Sequence, residues 1–347
     1  MLNKEINLLK KKPHVVILGA GASCATIPNG DKYGKSIYAM DGFLIKTGLI
    51  KIIEHLKLET KTDNLEDIFS EIEQKSYHNN LFKKAKQELE EGIRQFFTLF
   101  QLPDHATIYD YLILSLSKKD LIATFNWDPL LVQAIRRIGK YTKNTPKLAF
   151  LHGNVATGYC CKCNLVGNKG AKCSKCGKNL EDFPLLYPVK EKNYGKYNAI
   201  SSAWHCLEEY LNKAFILTIF GYSAPKSDES AIDIMKKAWG NVKSKEIEEV
   251  EIVDLKDKDM VTDSWKDFIF SDHYTYTNNF FETSLAKYPR RSCESLYTQN
   301  FECNFLRNDM GFMNKTSISI EDAYNQVKDL DQEENRTEIL SIPYIKH

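Results

Sequence analysis

The chain has 347 residues, room for two or three compact units at roughly 100 to 200 residues each. Lys plus Arg number 47 against 46 Asp plus Glu, a net charge of +1, so gripping duplex nucleic acid through a global basic excess is disfavoured, although a local basic patch is not. Hydrophobic residues at 43% and aromatics at 12% mark a folding composition, and no apolar run approaches the roughly 18 residues of a membrane span.

Residues 1–12 read as a basic N-terminal tail closed by Lys10 to Lys12. His14-Val15-Val16-Ile17-Leu18 predicts a short buried strand that feeds the glycine turn Gly19-Ala20-Gly21-Ala22-Ser23. This apolar stretch ends at Gly19 without a cleavage-type sequence, so a cytoplasmic protein is expected. From about 41 to 118 the chain turns to charged, amphipathic stretches, clearest over Leu81 to Phe100, which predict a helical insertion. A second strand, Leu121 to Thr124, stops at Phe125-Asn126-Trp127-Asp128-Pro129, and an amphipathic helix through Ile138 follows. A third, Leu148 to Leu151, stops at His152-Gly153-Asn154. Beyond a cysteine-rich stretch come a helix around Ala203 to Leu211 and a strand from Phe215 to Phe220 ending at Gly221-Tyr222-Ser223. A helix near Ser230 to Trp239 then leads to a strand from Val250 to Val253 ending at Asp254. Strands that alternate with helices and end in small or polar residues predict an α/β fold, a Rossmann-type parallel sheet with helices on both faces and its ligand at the carboxyl edge. The sheet domain is expected in two parts, 13–157 and 181–260, around a small module at 158–180. The remainder, 261–347, is rich in Tyr, Phe and Asn up to about Phe305 and highly charged from Glu321 to Glu338, which suits a solvated helix or an ordered tail of unreadable role.

Five of the nine cysteines fall between Cys160 and Cys176. Cys160-x2-Cys163 and Cys173-x2-Cys176 form two knuckles nine residues apart, the spacing of a four-thiolate structural zinc site. Cys161 competes with Cys160, but the two-residue gap fits a knuckle better. Four thiolates close the coordination sphere, so such a zinc would hold a module together and activate no water.

Three further features stay open on the residues alone. Gly19-x-Gly21 lets a backbone approach a pyrophosphate, yet Cys24 replaces the third glycine of the dinucleotide fingerprint, and an ordinary tight turn fits as well. Asn126 and Asp128 either serve a ribose or a water, or form an Asx-type turn that caps the helix after Pro129. His152 at a strand end is either a proton carrier near neutral pH or a structural histidine.

The order of these features resembles the sirtuin family, NAD-consuming proteins with a Rossmann-type domain and a small zinc module. The resemblance spans roughly Pro13 to Asp257. Gly19-Ala20-Gly21-Ala22-Ser23 is similar to the family's Gly-Ala-Gly-Ile-Ser phosphate loop, and Thr124-Phe125-Asn126-Trp127-Asp128 to its Thr-Gln-Asn-Ile-Asp motif. Leu151-His152-Gly153 resembles the catalytic His-Gly, Gly221-Tyr222-Ser223 the Gly-Thr-Ser loop, and Asp254 stands where the family places a polar ribose contact. The peptide-handling features differ. Thr26-Ile27-Pro28-Asn29-Gly30-Asp31 lacks the Phe and Arg of Gly-Ile-Pro-Asp-Phe-Arg, Phe125 replaces a glutamine, and Leu185 to Lys190 replace the Phe-Gly-Glu segment. The pattern that remains is similar to the sirtuin-like NAD-cleaving proteins of bacterial antiviral defence.

The resemblance implies an NAD+ hydrolase that releases nicotinamide and ADP-ribose. Asn126, Asp128 and His152 are then the expected catalytic residues, Gly19, Ala20, Gly21, Ser23, Gly221, Ser223 and Asp254 the NAD contacts, and Zn2+ the structural metal. Alternatives are an NAD-dependent lysine deacylase and a non-catalytic nucleotide- or nucleic-acid-binding module. Restraint of a toxic activity leads us to expect a homo-oligomer or a separately encoded regulatory partner, with no membrane involvement.

Overall fold

The structure, a computed structural model, describes residues 12–189, 193–224, 228–241, 245, 248–269, 273–307, 309–312, 318–334 and 341–346. All but Lys12 of the basic tail, and part of the charged stretch Glu321 to Glu338, lie outside the described residues.

Six parallel strands form the central sheet: β1 (His14–Leu18), β2 (Leu121–Thr124), β3 (Lys147–Phe150), β7 (Ile216–Phe220), β8 (Glu249–Val253) and β9 (Tyr274–Thr277). Their spatial order is β3-β2-β1-β7-β8-β9. The first three run outward in one direction and the last three in the other, so the chain reverses between β1 and β7, as in a doubly wound nucleotide-binding sheet. β1, β2 and β7 are buried at every position, which is why they read as unbroken apolar runs. Alternate residues sort to opposite faces: Val15, Ile17, Leu121, Ala123, Leu217 and Ile219 to one core, Val16, Leu18, Ile122 and Phe220 to the other.

The sixth strand was absent from the expected elements. Tyr274-Thr275-Tyr276-Thr277 is a half-exposed edge strand, so it carries no buried apolar run to betray it.

A short helix, Ala20–Thr26, follows the glycine turn. The stretch expected as a helical insertion contains helices α1 to α3. α1 (Leu65–Ser76) starts at Asn64, whose side chain accepts from the Glu66 amide. α2 (Asn80–Thr98) buries Phe82, Ala85, Leu89, Ile93 and Phe97, an i, i+3, i+4 stripe against the core. α3 (Ile108–Ser115) opens with a Thr107–Asp110 capping box, and buried Asp110 also pairs with Arg137 of α4 (Leu130–Ile138). The opposite face of the sheet is covered by α5 (Asn198–Lys213) and α6 (Glu229–Trp239) through Trp204, Leu207, Leu211, Met235 and Trp239.

Of the two expectations for the charged C-terminal stretch, a solvated helix or an ordered tail, the described part is ordered, in short helices packed on the body of the protein. Buried Arg290 and Arg291 hold it: Glu334 accepts from Arg290 Nη2 at 2.7 Å and from Arg291 Nη1 at 2.6 Å, and Asp331 lies 3.0 Å from Arg290. Arg290 also donates to the carbonyls of Leu116 and Asn144, so the clasp reaches the end of α3. Sequence shows these acids only as charge; Arg290 and Arg291 lie 44 and 43 residues upstream of Glu334.

Candidate functional site

The reversal between β1 and β7 places the glycine turn against the Gly221 loop. Gly19 and Gly21 donate to the carbonyls of Phe220 and Gly221, both at 3.0 Å, and the Ala22 amide to Gly19 O at 3.1 Å. The approach leaves no room for side chains. A Cβ on Gly19 would sit 2.4 Å from Gly221 O, and one on Gly221, whose φ is +61°, 2.3 Å from the Ala22 nitrogen. These glycines thus serve a backbone-to-backbone contact, and three of the turn's amides are engaged within the protein. Ala20 and Gly21 form its exposed edge.

Across β1, the end of β2 completes a hydrogen-bonded cluster. Asn126 Nδ2 donates to Gly19 O at 2.7 Å and to Ser23 Oγ at 2.9 Å. Because Gly19 O only accepts, the amide orientation is defined: both Nδ2 hydrogens point into the protein and Oδ1 is the atom left for a ligand. Thr124 Oγ1 accepts from the Asn126 backbone amide at 3.0 Å and sets the bend of the tip. Asp128 is 3% exposed. One oxygen accepts from Ser23 Oγ at 2.7 Å, the other from the Leu130 amide at 3.0 Å, so the helix-capping role and the link to the glycine turn coexist in one side chain. Burial pushes the Asp128 carboxyl above its ordinary range, opposed by the bonds from Ser23 and Leu130. Tyr109 of α3 completes the cluster, its hydroxyl 2.8 Å from Ser23 Oγ and 3.3 Å from Asn126 Nδ2. Sequence reasoning missed this tyrosine, and nothing in its neighbourhood signals it.

His152 belongs to the neighbouring strand tip. The two tips are fastened together: Leu151 N donates to Thr124 O, Val155 N to Trp127 O, and buried Asn154 gives its side-chain amide to Asp128 O at 2.6 Å. Asn154, in the His-Gly-Asn run, is a second residue whose role only the structure shows. Gly153 has φ +87° and passes under Pro184, whose oxygen would lie 2.0 Å from a Cβ. The His152 ring packs edge-on against Phe125 at 4.8 Å and parallel to Tyr194 at 6.0 Å. Phe125 in turn stacks on Tyr222 at 4.1 Å with an interplanar angle of 10°. Tyr222 Oη donates to Asp228 at 2.8 Å. Asn126 is therefore held in the Ser23 group and His152 in an aromatic group, on adjoining tips of the carboxyl edge.

The remaining expected contacts are more peripheral. Ser223 is half-buried in the loop after β7. Asp254 directly follows β8 and caps its own turn, Oδ1 accepting from the Lys256 amide at 2.9 Å. A cavity of about 680 Å3 lies elsewhere, between α2 and the Leu185–Val189 segment.

The cysteine pattern folds as a small antiparallel sheet, β4 (Thr157–Cys160) between β5 (Leu165–Asn168) and β6 (Glu181–Asp182). The sulfurs of Cys160, Cys163, Cys173 and Cys176 all lie within 4.8 Å of one another, Cys160 and Cys176 at 3.6 Å. A tetrahedron of Zn–S bonds near 2.3 Å has edges of about 3.8 Å, so the four thiols suit a structural zinc. The Cys176 and Lys175 backbone amides bring Cys173 down to about 6, whereas burial pushes Cys160 up. Cys161 points away to Glu181 at 3.7 Å, which leaves Cys160 as the knuckle residue.

No protein-family model and no curated protein matches this chain. Among solved structures the chain is similar to Sir2 proteins at low identity. One, from work on the mechanism and regulation of Sir2 enzymes, is 16% identical with a TM-score of 0.41 over 85% of this chain and 98% of that one. A Sir2 homologue in complex with NAD is 14% identical, TM-score 0.42, over 84% and 94%. A Sir2 homologue variant with ADP-ribose is 13% identical, TM-score 0.37, over 74% and 86%. The strand order and register given above define the Rossmann-type sheet. Among the described residues no helix is long and apolar enough to cross a membrane.

Proposed function

We propose that the protein is an NAD+ hydrolase that breaks the bond between nicotinamide and ribose. The observation that carries this reading is the single cluster joining Gly19, Ser23, Asn126 and Asp128 where the chain reverses at the carboxyl edge of the sheet. In the proposed reaction the C1′–N bond breaks with its electron pair passing to the nicotinamide ring, water adds to C1′, and one proton is released. Asn126 Oδ1 accepts a hydrogen bond from the water or a ribose hydroxyl, and His152 takes the proton. Asp128 acts indirectly, since its two oxygens already serve Ser23 and Leu130. The dinucleotide would lie along the Ala20–Gly21 edge, with Gly221, Ser223 and Asp254 beside it. The Phe125–Tyr222 stack joins the residues that follow β2 and β7, the two strands on either side of β1.

The second reading, a lysine deacylase, draws on the cavity against Leu185–Val189, the segment that replaces the family's peptide-pairing strand. Incubation of purified protein with NAD alone, and with NAD plus an acylated peptide, separates the two. Nicotinamide release without peptide, lost in Asn126→Ala and His152→Ala variants of unchanged circular dichroism, is the expected result. Release only with peptide favours the deacylase, and wild-type turnover by either variant removes the catalytic assignment. A role in antiviral defence, with control by self-assembly or a separate partner, extends the same proposal; NAD consumption measured over a protein concentration series tests the assembly half of it.

A further inference from the structure

Tyr109 lies in no motif, yet its position is unusual. Its side chain is fully buried, it is delivered by the last helix of the insertion, and its hydroxyl meets Ser23 and Asn126 at once. Proton counting gives the direction of each bond. With Asp128 ionised, Ser23 spends its only proton on that carboxylate at 2.7 Å. Ser23 Oγ then accepts from both remaining neighbours, Asn126 Nδ2 at 2.9 Å and Tyr109 Oη at 2.8 Å. Burial pushes the phenol well above its ordinary pKa, so it stays a donor.

We infer that Tyr109 is a positioning residue: its hydroxyl, by donating to Ser23 Oγ, keeps the serine turned to Asp128 and so holds the Asn126 amide with its carbonyl oxygen toward the ligand. Without the phenol, Ser23 Oγ keeps one buried lone pair unsatisfied and is held only by its bonds to Asp128 and Asn126, which weakens one of the two anchors of the Asn126 amide. The other anchor, Gly19 O, still holds one hydrogen, so the tip loosens and does not collapse. The insertion therefore contributes directly to the geometry of the site. What the amide faces rests on the NAD hydrolase reading; how it is held does not.

The test is Tyr109→Phe, which keeps the ring and removes the oxygen, beside Tyr111→Phe as control. Tyr111 lies on the same helix and packs on Phe281 and Phe312, away from Asn126. Two measurements are made on each protein: kcat and KM for NAD, and hydrogen exchange of the Asn126 side-chain amide by NMR on asparagine-labelled protein, assigned by its loss in Asn126→Ala. Tyr109→Phe is expected to lower kcat roughly tenfold while KM stays within about twofold, because orientation and not binding is lost. Its Asn126 amide should exchange roughly fivefold faster, the ratio that one weak hydrogen bond supports. Tyr111→Phe should match the wild type in both. An unchanged Asn126 exchange rate in Tyr109→Phe overturns the inference, as does a loss of kcat matched by equal losses in NAD binding and melting temperature. If the wild type releases no nicotinamide, the hydrolase reading fails, and the exchange comparison alone still decides the role of Tyr109.

Discussion

His14, at the foot of β1, makes the stability of the sheet sensitive to acid. Its ring is buried, Nε2 lying 2.7 Å from Thr218 Oγ1 and Nδ1 2.8 Å from Ser292 Oγ. Thr218 gives its own proton to Glu251 at 2.9 Å, so it must accept from His14, which fixes the Nε2–H tautomer and leaves Nδ1 to accept from Ser292. Burial, reinforced by Lys119, lowers the imidazole from 6.5 to about 3. The unfolded chain therefore binds one more proton than the folded chain between those values. The contribution is fully present above pH 6.5 and is lost as pH falls toward 3, at about 1.4 kcal/mol per unit once well below 6.5. From pH 7 to pH 5 this amounts to about 2 kcal/mol. His14→Gln keeps an amide able to donate to Thr218 and cannot titrate. Urea unfolding of both proteins at pH 7, 6 and 5 should show the wild type losing about 2 kcal/mol more than the variant, since Asp120 and Glu251 titrate in both. Parallel losses in the two proteins would refute the assignment.

Other consequences are equally direct. Gly221→Ala forces a Cβ to 2.3 Å from the Ala22 nitrogen, a backbone atom that cannot move alone; a loss of about 2–3 kcal/mol together with NAD binding is expected, and an unchanged melting temperature would contradict it. Metal analysis should find one zinc per chain; Cys173→Ser should lose the metal and melt earlier, because zinc binding is part of the folding free energy. A zinc-free variant with the wild-type melting temperature would sink that expectation. Glu334→Ala leaves Arg290 and Arg291 buried beside one fewer acid, and should cost about 3–5 kcal/mol by thermal or urea unfolding, against near zero if the clasp were a surface feature.

The amino-acid sequence by itself determined the sheet's buried strands, the order of strands and helices, and the metal module. In each case the signal is local: an unbroken apolar run such as Val15 to Leu18, the buried stripe from Phe82 to Phe97, or two cysteine pairs of fixed spacing. Asn126 and His152 were legible as polar tips because each follows such a run directly. Tertiary structure alone decided which atoms those tips present. Ser23 meets Tyr109, Asn126 and Asp128 across sequence separations of 86, 103 and 105 residues, and the direction of an amide depends on which acceptor faces it. The same holds for the edge strand β9, exposed enough to lose its apolar signature, and for the acids near Glu334, whose charge reads as solvated until two buried arginines are placed beside it. Local chemistry is written along the chain, whereas hydrogen-bond direction and the pairing of buried charge arise only when distant segments share one small volume.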